Sequence, residues 1–184
     1  MTQKKDIFVI IGSASQDSTN EKLVAYFKRL TYGYFNLTVL KDLKTFPHFD
    51  PNLSVENTPK QIVAFRKEIE KADGILICTP EYVFSIPSGL KNIIEWSVST
   101  TIFSNKPTGI ITASADGKKG HDELKLIMKT LMAKFTHETT LLISGIKGKI
   151  NDKDQITDQI TEENLGEFIK AFKTLINNSD GVDL

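Results

Sequence analysis

Five short apolar runs, separated by longer segments of helical periodicity, constrain the fold of this chain more than any other feature. The first run, Ile7-Phe8-Val9-Ile10-Ile11, is rich in β-branched residues and ends at Gly12. A strand that is apolar at every position is typical of a sheet buried on both faces. Further strands are expected over residues 35–40, 75–79, 108–113 and 139–143.

Amphipathic segments alternate with these runs and predict five helices. In the first, over residues 20–30, apolar residues recur at helical spacing. Thr58 is expected to cap the second, ahead of Pro59 at its first position. The others are expected over residues 90–101, around 124–135 and around 165–176. Alternating strands and helices require right-handed crossovers, so we predict an α/β, doubly wound parallel sheet in a single domain over residues 1–184.

Charge and composition exclude several classes of protein. Lys and Arg number 23, as do Asp and Glu, and this balance disfavours a nucleic-acid partner. No stretch approaches the ~18 apolar residues of a membrane span, and the first apolar run is too short for a signal peptide. We therefore expect a cytoplasmic protein with no membrane partner. The histidines lack metal-ligand spacing, so no metal site is expected, and Cys78 is interpreted as a small core residue.

Ligands of open parallel sheets bind beyond the carboxyl ends of the strands, which directs attention to three loops. The first, residues 12–20, contains three serines, a threonine and an asparagine but no lysine or arginine. Hydroxyls and backbone N–H groups at the start of a helix form an anion site that suits a terminal phosphate. The alternative is an ordinary polar loop in which Ser18 or Thr19 caps the helix.

The second and third loops differ in character from the first. Residues 79–92 combine aromatic, apolar and proline residues, as in the wall of a site for a flat ligand. Residues 113–121 contain Gly117 and Gly120, which permit positive φ and close approach of the backbone to a ligand; a flexible surface turn is the alternative.

Standard nucleotide and hydrolase motifs are missing from the sequence. It contains no G-x-G-x-x-G, no G-x-x-x-x-G-K-[ST] and no G-x-S-x-G. A phosphorylation receiver is excluded because Gly12-Ser13 and Cys78-Thr79 stand where that class needs acidic residues.

Taken together, the three loops resemble the NADPH-dependent FMN reductase family, whose relatives include quinone, azo-dye and chromate reductases. The family motif G-S-x-R-x-x-S-x-N is matched by Gly12-Ser13-Ala14-Ser15-Gln16-Asp17-Ser18-Thr19-Asn20. The motif P-E-Y-N-x-S-x-P is matched by Pro80-Glu81-Tyr82-Val83-Phe84-Ser85-Ile86-Pro87, with Leu90-Lys91-Asn92 and Glu95-Trp96 after it. Ser114, Gly117 and Gly120 match the turn that follows the fourth strand.

The resemblance implies a flavodoxin-like sheet of order 2-1-3-4-5 and an FMN site between the loops. The phosphate is expected on the first loop and the isoalloxazine between residues 80–84 and 114–120, contacted largely by main chain. The implied site residues are Ser13, Ser15, Ser18, Thr19, Asn20, Pro80, Glu81, Tyr82, Val83, Phe84, Ser114, Ala115, Asp116, Gly117 and Gly120. No catalytic side chain is expected, because the cofactor carries the chemistry, and Asp116 is expected to point outward.

The function implied is a two-electron, ping-pong reductase. NADPH or NADH would deliver hydride to flavin N5 and be replaced by a small-molecule electron acceptor such as a quinone, a flavin or an azo compound. A homodimer or dimer of dimers is implied, with Tyr82 and Trp96 as candidate contacts to flavin or a second subunit. The alternatives are a flavodoxin-type electron carrier, which the zero net charge disfavours, and a binding module that has lost the flavin.

The sequence departs from the family pattern at three positions. Ser15 stands where arginine is usual, and Val83 replaces a common asparagine beside the flavin. His121 replaces the second glycine of a frequent pair and is expected to be a solvated residue at the start of a helix. Lys118 and Lys119 are expected to be solvated, the alternative being that they steer a nucleotide phosphate.

Overall fold

The computed structural model describes residues 3–179 and confirms the predicted alternation of strands and helices. The strands are β1 (Lys5–Ile11), β2 (Phe35–Leu40), β3 (Gly74–Thr79), β4 (Thr108–Ser114) and β5 (Thr140–Ser144). The α-helices are α1 (Thr19–Thr31), α2 (Lys60–Lys71), α3 (Ser88–Glu95), α4 (Lys118–Thr130) and α5 (Gln159–Asn177). The limits of the predicted domain, residues 1 and 184, lie outside the described residues.

The five strands form one parallel sheet of order β2-β1-β3-β4-β5, so the predicted flavodoxin-like topology is confirmed. β1 is paired on one side with β2, where Ile7 lies beside Leu37, and on the other with β3, where Ile7 lies beside Gly74. Chain order therefore reverses at β1. In doubly wound sheets the crevice at such a reversal, beyond the carboxyl ends of the strands, is where ligands bind.

Two hydrophobic layers cover the sheet. α1 and α5 pack on one face, where Phe27 contacts Phe35 and Phe168 at ring-centroid distances of 6.3 and 6.4 Å. α2, α3 and α4 pack on the other face. Every residue of β3 is buried. Burial of one large apolar side chain contributes about 1.5–3 kcal/mol, so these layers hold the strand ends, and the loops that follow them, in fixed positions.

The predicted cap of α2 is wrong. Thr58 Oγ1 donates a hydrogen bond to the Leu53 carbonyl at 2.9 Å, and the residue before α2 is Pro59, which provides no side-chain cap. α2 begins at Lys60, so Thr58 lies one residue too far from the helix to cap it, and its hydroxyl bonds instead to the 3₁₀ turn at Pro51–Leu53.

α3 begins earlier and ends earlier than predicted. It begins at Ser88, directly after Pro87, and ends at Glu95 rather than near residue 101. The backbone then turns because the Arg66 guanidinium binds the Trp96 carbonyl, with Nε at 3.1 Å, while Trp96 Nε1 donates to the Pro47 carbonyl at 2.9 Å. Both partners are distant in sequence, so helical periodicity alone does not reveal them.

α4 also begins and ends earlier than predicted. It ends at Thr130, and Met132 has φ of 58° and is exposed. The following residues pair with the segment before β4 instead: Lys134 N donates to the Lys106 carbonyl at 3.0 Å. None of the helices within residues 3–179 has the length and apolar character needed to cross a membrane.

Candidate functional site

A cleft of about 750 Å³ lies beyond the carboxyl ends of β1, β3, β4 and β5. The loop after β1 forms one part of its wall and Pro80 and Tyr82 form another. Residues 113–115 and 145–148 complete the lining. The first three of these groups are the ones that the sequence predicted to converge, and the parallel sheet brings them together.

Ser18 caps α1, as one of the two interpretations of this loop required. Its Oγ accepts a hydrogen bond from Glu21 N at 3.2 Å. A hydroxyl that accepts in this way keeps its own proton available to a second acceptor, so Ser18 can cap the helix and donate to an anion together. The N–H groups of Thr19 and Asn20 have no acceptor within α1 and remain donors at the positive end of the helix.

The side chain of Asn20 is directed into the protein. Its Nδ2 donates to the Ala113 carbonyl at 3.1 Å, and the Cys78 thiol donates to its Oδ1 at 3.3 Å. Asn20 is 3% exposed and so connects α1 to the ends of β3 and β4. What it offers to a ligand in the cleft is therefore its backbone N–H, whereas its amide has a structural role.

The remaining serines of this loop differ in burial. Ser13 is buried, and its Oγ accepts from Ser15 N at 3.2 Å and lies 3.4 Å from Tyr82 Oη. Ser15 is exposed and lines the cleft. Ser13 and Tyr82 also line a second cavity, of about 540 Å³.

The loop after β3 makes a tight reversal at Tyr82–Ser85. Tyr82 N donates to the Ser85 carbonyl at 2.9 Å, and Ser85 N donates back at 3.1 Å. The two central residues, Val83 and Phe84, have φ of 52° and 59°. Positive φ at both positions is the signature of a type I′ turn, which normally requires Asn or Gly. Valine is β-branched, so its left-handed backbone is strained.

Two carboxylates hold this turn against the start of α4. Glu81 Oε2 accepts from Gly120 N at 2.7 Å, and Glu123 Oε2 accepts from Ser85 Oγ at 2.7 Å and Ile86 N at 3.0 Å. Glu81 thereby caps α4, whose preceding residue, Gly117, supplies no side chain for that purpose. Its charge is also favourable at a helix N-terminus.

The loop after β4 is connected to both neighbouring loops. Ser114 Oγ lies 3.4 Å from the Glu81 carbonyl, to which it donates, and the Ala115 carbonyl accepts from Gly145 N at 3.0 Å. Gly117 has φ of 89°, and a Cβ there would lie 2.9 Å from a Leu142 methyl. Gly117 thus meets the need for positive φ predicted for this loop. Gly120 does not: it lies inside α4, packed against Glu81.

The structure separates the predicted site residues into two groups. Those that line the cleft are Ser13, Ser15, Ser18, Thr19, Asn20, Pro80, Tyr82, Ser114 and Ala115. Those that do not line it are Glu81, Val83, Phe84, Asp116, Gly117 and Gly120. Val83 and Phe84 are 94% and 74% exposed, at the tip of the turn. Asp116 is exposed, and its carbonyl accepts from Ser144 Oγ.

Sequence reasoning missed the segment after β5. Gly145, Ile146, Lys147 and Gly148 line the cleft, and three of them form a 3₁₀ turn, Ile146–Gly148. The rule that directed attention to the ends of β1, β3 and β4 applies equally to β5. The spacing of Gly145 and Gly148 is the signal in the sequence that points to this segment.

Two predictions for individual side chains are wrong. His121 is 5% exposed, and its Nδ1 lies 2.9 Å from Thr112 Oγ1. Burial, reinforced by the Lys125 ammonium, lowers the pKa of His121 to about 4, so the ring is neutral at pH 7. Trp96 is fully buried, so it contacts neither the cleft nor solvent.

The prediction for the single cysteine is confirmed. Cys78 is buried in the cluster that contains α1 and α5, and burial raises the pKa of its thiol. A thiol that stays protonated is a poor nucleophile, so its contribution is to packing.

Comparison with known proteins identifies the family of this chain. Residues 6–148 match the NADPH-dependent FMN reductase family. The chain is 27% identical over 189 residues to a quinone reductase of Escherichia coli (strain K12), covering 94% of this chain and all of that one. It is 28% identical over 138 residues to an NADPH:quinone oxidoreductase of Arabidopsis thaliana, covering 72% and 70% of the two chains.

Solved structures agree on the fold. The flavoenzyme NAD(P)H:(acceptor) oxidoreductase FerB from Paracoccus denitrificans superposes with a TM-score of 0.77 at 24% identity, covering 95% of this chain and 98% of that one. The family match extends over β1 to β5 and so includes all the loops that build the cleft. The chain therefore belongs to the NADPH-dependent FMN reductase family, as an oxidoreductase that uses FMN as its cofactor and NAD(P)H as its electron donor.

Proposed function

We propose that the cleft is the FMN site. The phosphate would bind at the start of α1, on the Ser13, Ser15 and Ser18 hydroxyls and the free N–H groups of Thr19 and Asn20. The isoalloxazine would lie between residues 80–84 and 114–120. One observation carries this proposal: the serines of the loop after β1 and the first residues of α1 line the same cleft as Pro80 and Tyr82.

The residues fit the chemistry of FMN. A cleft of about 750 Å³ is within the range of small-molecule and cofactor sites. Its polar part offers the donors that a phosphate accepts, and its other walls offer an aromatic ring, a proline and backbone amides to a flat heterocycle. When bound, FMN supplies hydride acceptance at N5 and onward transfer of two electrons.

We propose that the chain catalyses ping-pong electron transfer from NADPH or NADH to a small acceptor, such as a quinone, a free flavin or an azo compound. Quinone reductases among the relatives favour a quinone. The residues of the chain bind and orient, without a side-chain acid or base. In support, the carboxylates nearest the turn, Glu81 and Glu123, already accept bonds from Gly120 N, Ser85 Oγ and Ile86 N.

We propose further that residues 1–184 form one domain of a cytoplasmic homodimer or dimer of dimers. The exposed apolar side chains of Val83 and Phe84, at the tip of the turn after β3, support a role for a second copy of the chain there. Singly exposed apolar residues are common, but two at the tip of a strained turn are costly unless something covers them.

The test is an anaerobic titration of the flavin-loaded protein. Reduction should bleach the flavin absorbance on addition of NADPH or NADH, and added quinone should restore it. Initial rates at several fixed quinone concentrations should then give parallel double-reciprocal lines, as a ping-pong mechanism requires. Intersecting lines would contradict ping-pong transfer. A bound flavin that neither nucleotide reduces would instead favour an electron carrier.

A further inference from the structure

The cleft has little positive charge for a site that binds a phosphate ester. The loop of residues 12–20 has no lysine or arginine and contributes one carboxylate, Asp17, to the lining. A phosphate monoester carries about −1.5 to −2 charges at neutral pH. A helix N-terminus supplies the equivalent of only about half a positive charge. Most of the phosphate charge is therefore not balanced by this loop.

Within residues 3–179, a single basic side chain lines the cleft, and it comes from a different part of the chain. Lys147 lies on the segment after β5, and the same cleft is lined by Ser15, Ser18 and Thr19. Parallel strands place all their carboxyl ends at one edge of the sheet, so a residue after β5 and a loop after β1 face a common space.

The backbone that carries Lys147 is fixed on both sides. Ile146 is 3% exposed and packs in the same hydrophobic layer as α1. Gly145, with φ of 68°, donates its N–H to the Ala115 carbonyl at 3.0 Å, and Ser144 Oγ donates to the Asp116 carbonyl at 2.7 Å. The turn is thus joined to the loop after β4, which limits the positions that Lys147 can reach.

Two lysines near this region are engaged in ion pairs with aspartates, whereas Lys147 is available. Lys149 Nζ lies 3.8 Å from Asp158 Oδ2, and Lys22 Nζ lies 3.7 Å from Asp152 Oδ1. In the described part of the chain, Lys147 forms no ion pair, and its side chain is exposed. An unpaired ammonium at the mouth of an anion site can turn to a ligand without breaking a bond.

We propose that Lys147 supplies the counter-charge of the FMN phosphate. It binds the phosphate from the β5 side of the cleft while the hydroxyls and N–H groups of α1 bind it from the other. This inference rests on the proposed FMN site and adds to it a residue from outside the three sequence motifs. The proposed role of Lys147 is electrostatic, so its replacement should affect binding of the charged phosphate and not of the isoalloxazine.

The experiment compares FMN with riboflavin, which lacks the phosphate. Full-length protein freed of flavin is titrated with each, and the quenching of flavin fluorescence gives the dissociation constants. Lys147→Gln should weaken FMN binding about tenfold, since it removes one charge-assisted hydrogen bond, and leave riboflavin binding unchanged. Lys147→Arg should restore FMN affinity, and the loss in Lys147→Gln should shrink as salt is raised.

Lys153→Gln is the matched control. Lys153 is an exposed lysine on the same connection before α5, but it does not line the cleft. Its replacement changes the net charge of the protein by the same amount as Lys147→Gln and leaves the cleft lining intact. Affinity for FMN that is equal in Lys147→Gln and wild type would overturn the inference, as would an equal loss in Lys153→Gln. A parallel loss of FMN and riboflavin affinity would overturn it too. Wild-type protein that binds neither flavin would overturn the proposed function, and this inference with it.

Discussion

The two ends of the cleft are built in different ways. At the α1 end, the backbone is helical, Ser18 forms a local cap, and Asn20 is anchored inside the protein. At the turn end, Val83 and Phe84 occupy left-handed backbone with exposed apolar side chains. The turn is held by carboxylates from elsewhere: Glu123 lies on α4, and Glu81 reaches to the start of that helix.

The two ends differ in the source of their stabilisation, which is local at the α1 end and comes from another helix at the turn end. Capping a helix is a local interaction, so the start of α1 is stabilised by residues that are close to it in sequence. A left-handed conformation costs about 1–2 kcal/mol at a residue other than glycine. The turn therefore depends on its hydrogen bonds with α4, which hold it in this conformation. We expect the α1 end to respond to changes in its own buried side chain, and the turn end to changes in α4.

The largest effect on stability is expected from Asn20→Ala at the α1 end. It leaves the buried Ala113 carbonyl without its donor, and the free energy of unfolding should fall by about 2–3 kcal/mol. Ser18→Ala removes only a cap and should cost about 1 kcal/mol. Urea denaturation of the flavin-free proteins measures both. The control is Asn36→Ala, which removes only an exposed hydrogen bond, from Asn36 Nδ2 to Asp6 Oδ1 at 2.9 Å. If Asn20→Ala proves no more costly than Ser18→Ala, the structural role of Asn20 is refuted.

An intermediate effect is expected from Glu123→Ala at the turn end. The variant loses the acceptor of Ser85 Oγ and Ile86 N, so the turn should loosen and FMN binding should weaken about tenfold. Glu123→Gln keeps one oxygen acceptor and should lie between the alanine variant and wild type. Glu167→Ala, on the exposed face of α5, should leave the affinity unchanged. Fluorescence titration measures the dissociation constant of each variant for FMN. An affinity of Glu123→Ala equal to that of the wild type would show that α4 does not position the turn.

The smallest effect is expected from Val83→Asn, and it has the opposite sign. Asparagine tolerates the left-handed region, so the free energy of unfolding should rise by about 0.5–1 kcal/mol. Val98→Asn replaces an exposed valine with ordinary φ and should change stability little. Both variants are compared by urea denaturation. A Val83→Asn protein that is less stable than wild type would mean that the valine side chain gains more from its contacts than its backbone costs.

Much of the architecture could be predicted from local sequence patterns. β2 has the predicted limits, and the apolar residues Leu165, Phe168 and Phe172, within the span predicted for α5, are buried. These elements were predictable because strands buried on both faces and amphipathic helices leave strong periodic signals. The ends of α3 and α4 were not predictable, because Arg66 and the segment before β4 draw the backbone away from positions that still look helical.

The sequence by itself determined the parallel sheet, the three loops at its carboxyl edge and the family to which the motifs point. Tertiary structure alone decided which residues line the cleft: Glu81 and Gly120 bond to each other, and Lys147 lines the cleft from the segment after β5, which no motif covers. The physical reason is the range of the interactions. Periodicity and motifs report neighbours along the chain, whereas burial, capping between elements and charge in a cleft depend on residues that only folding brings together.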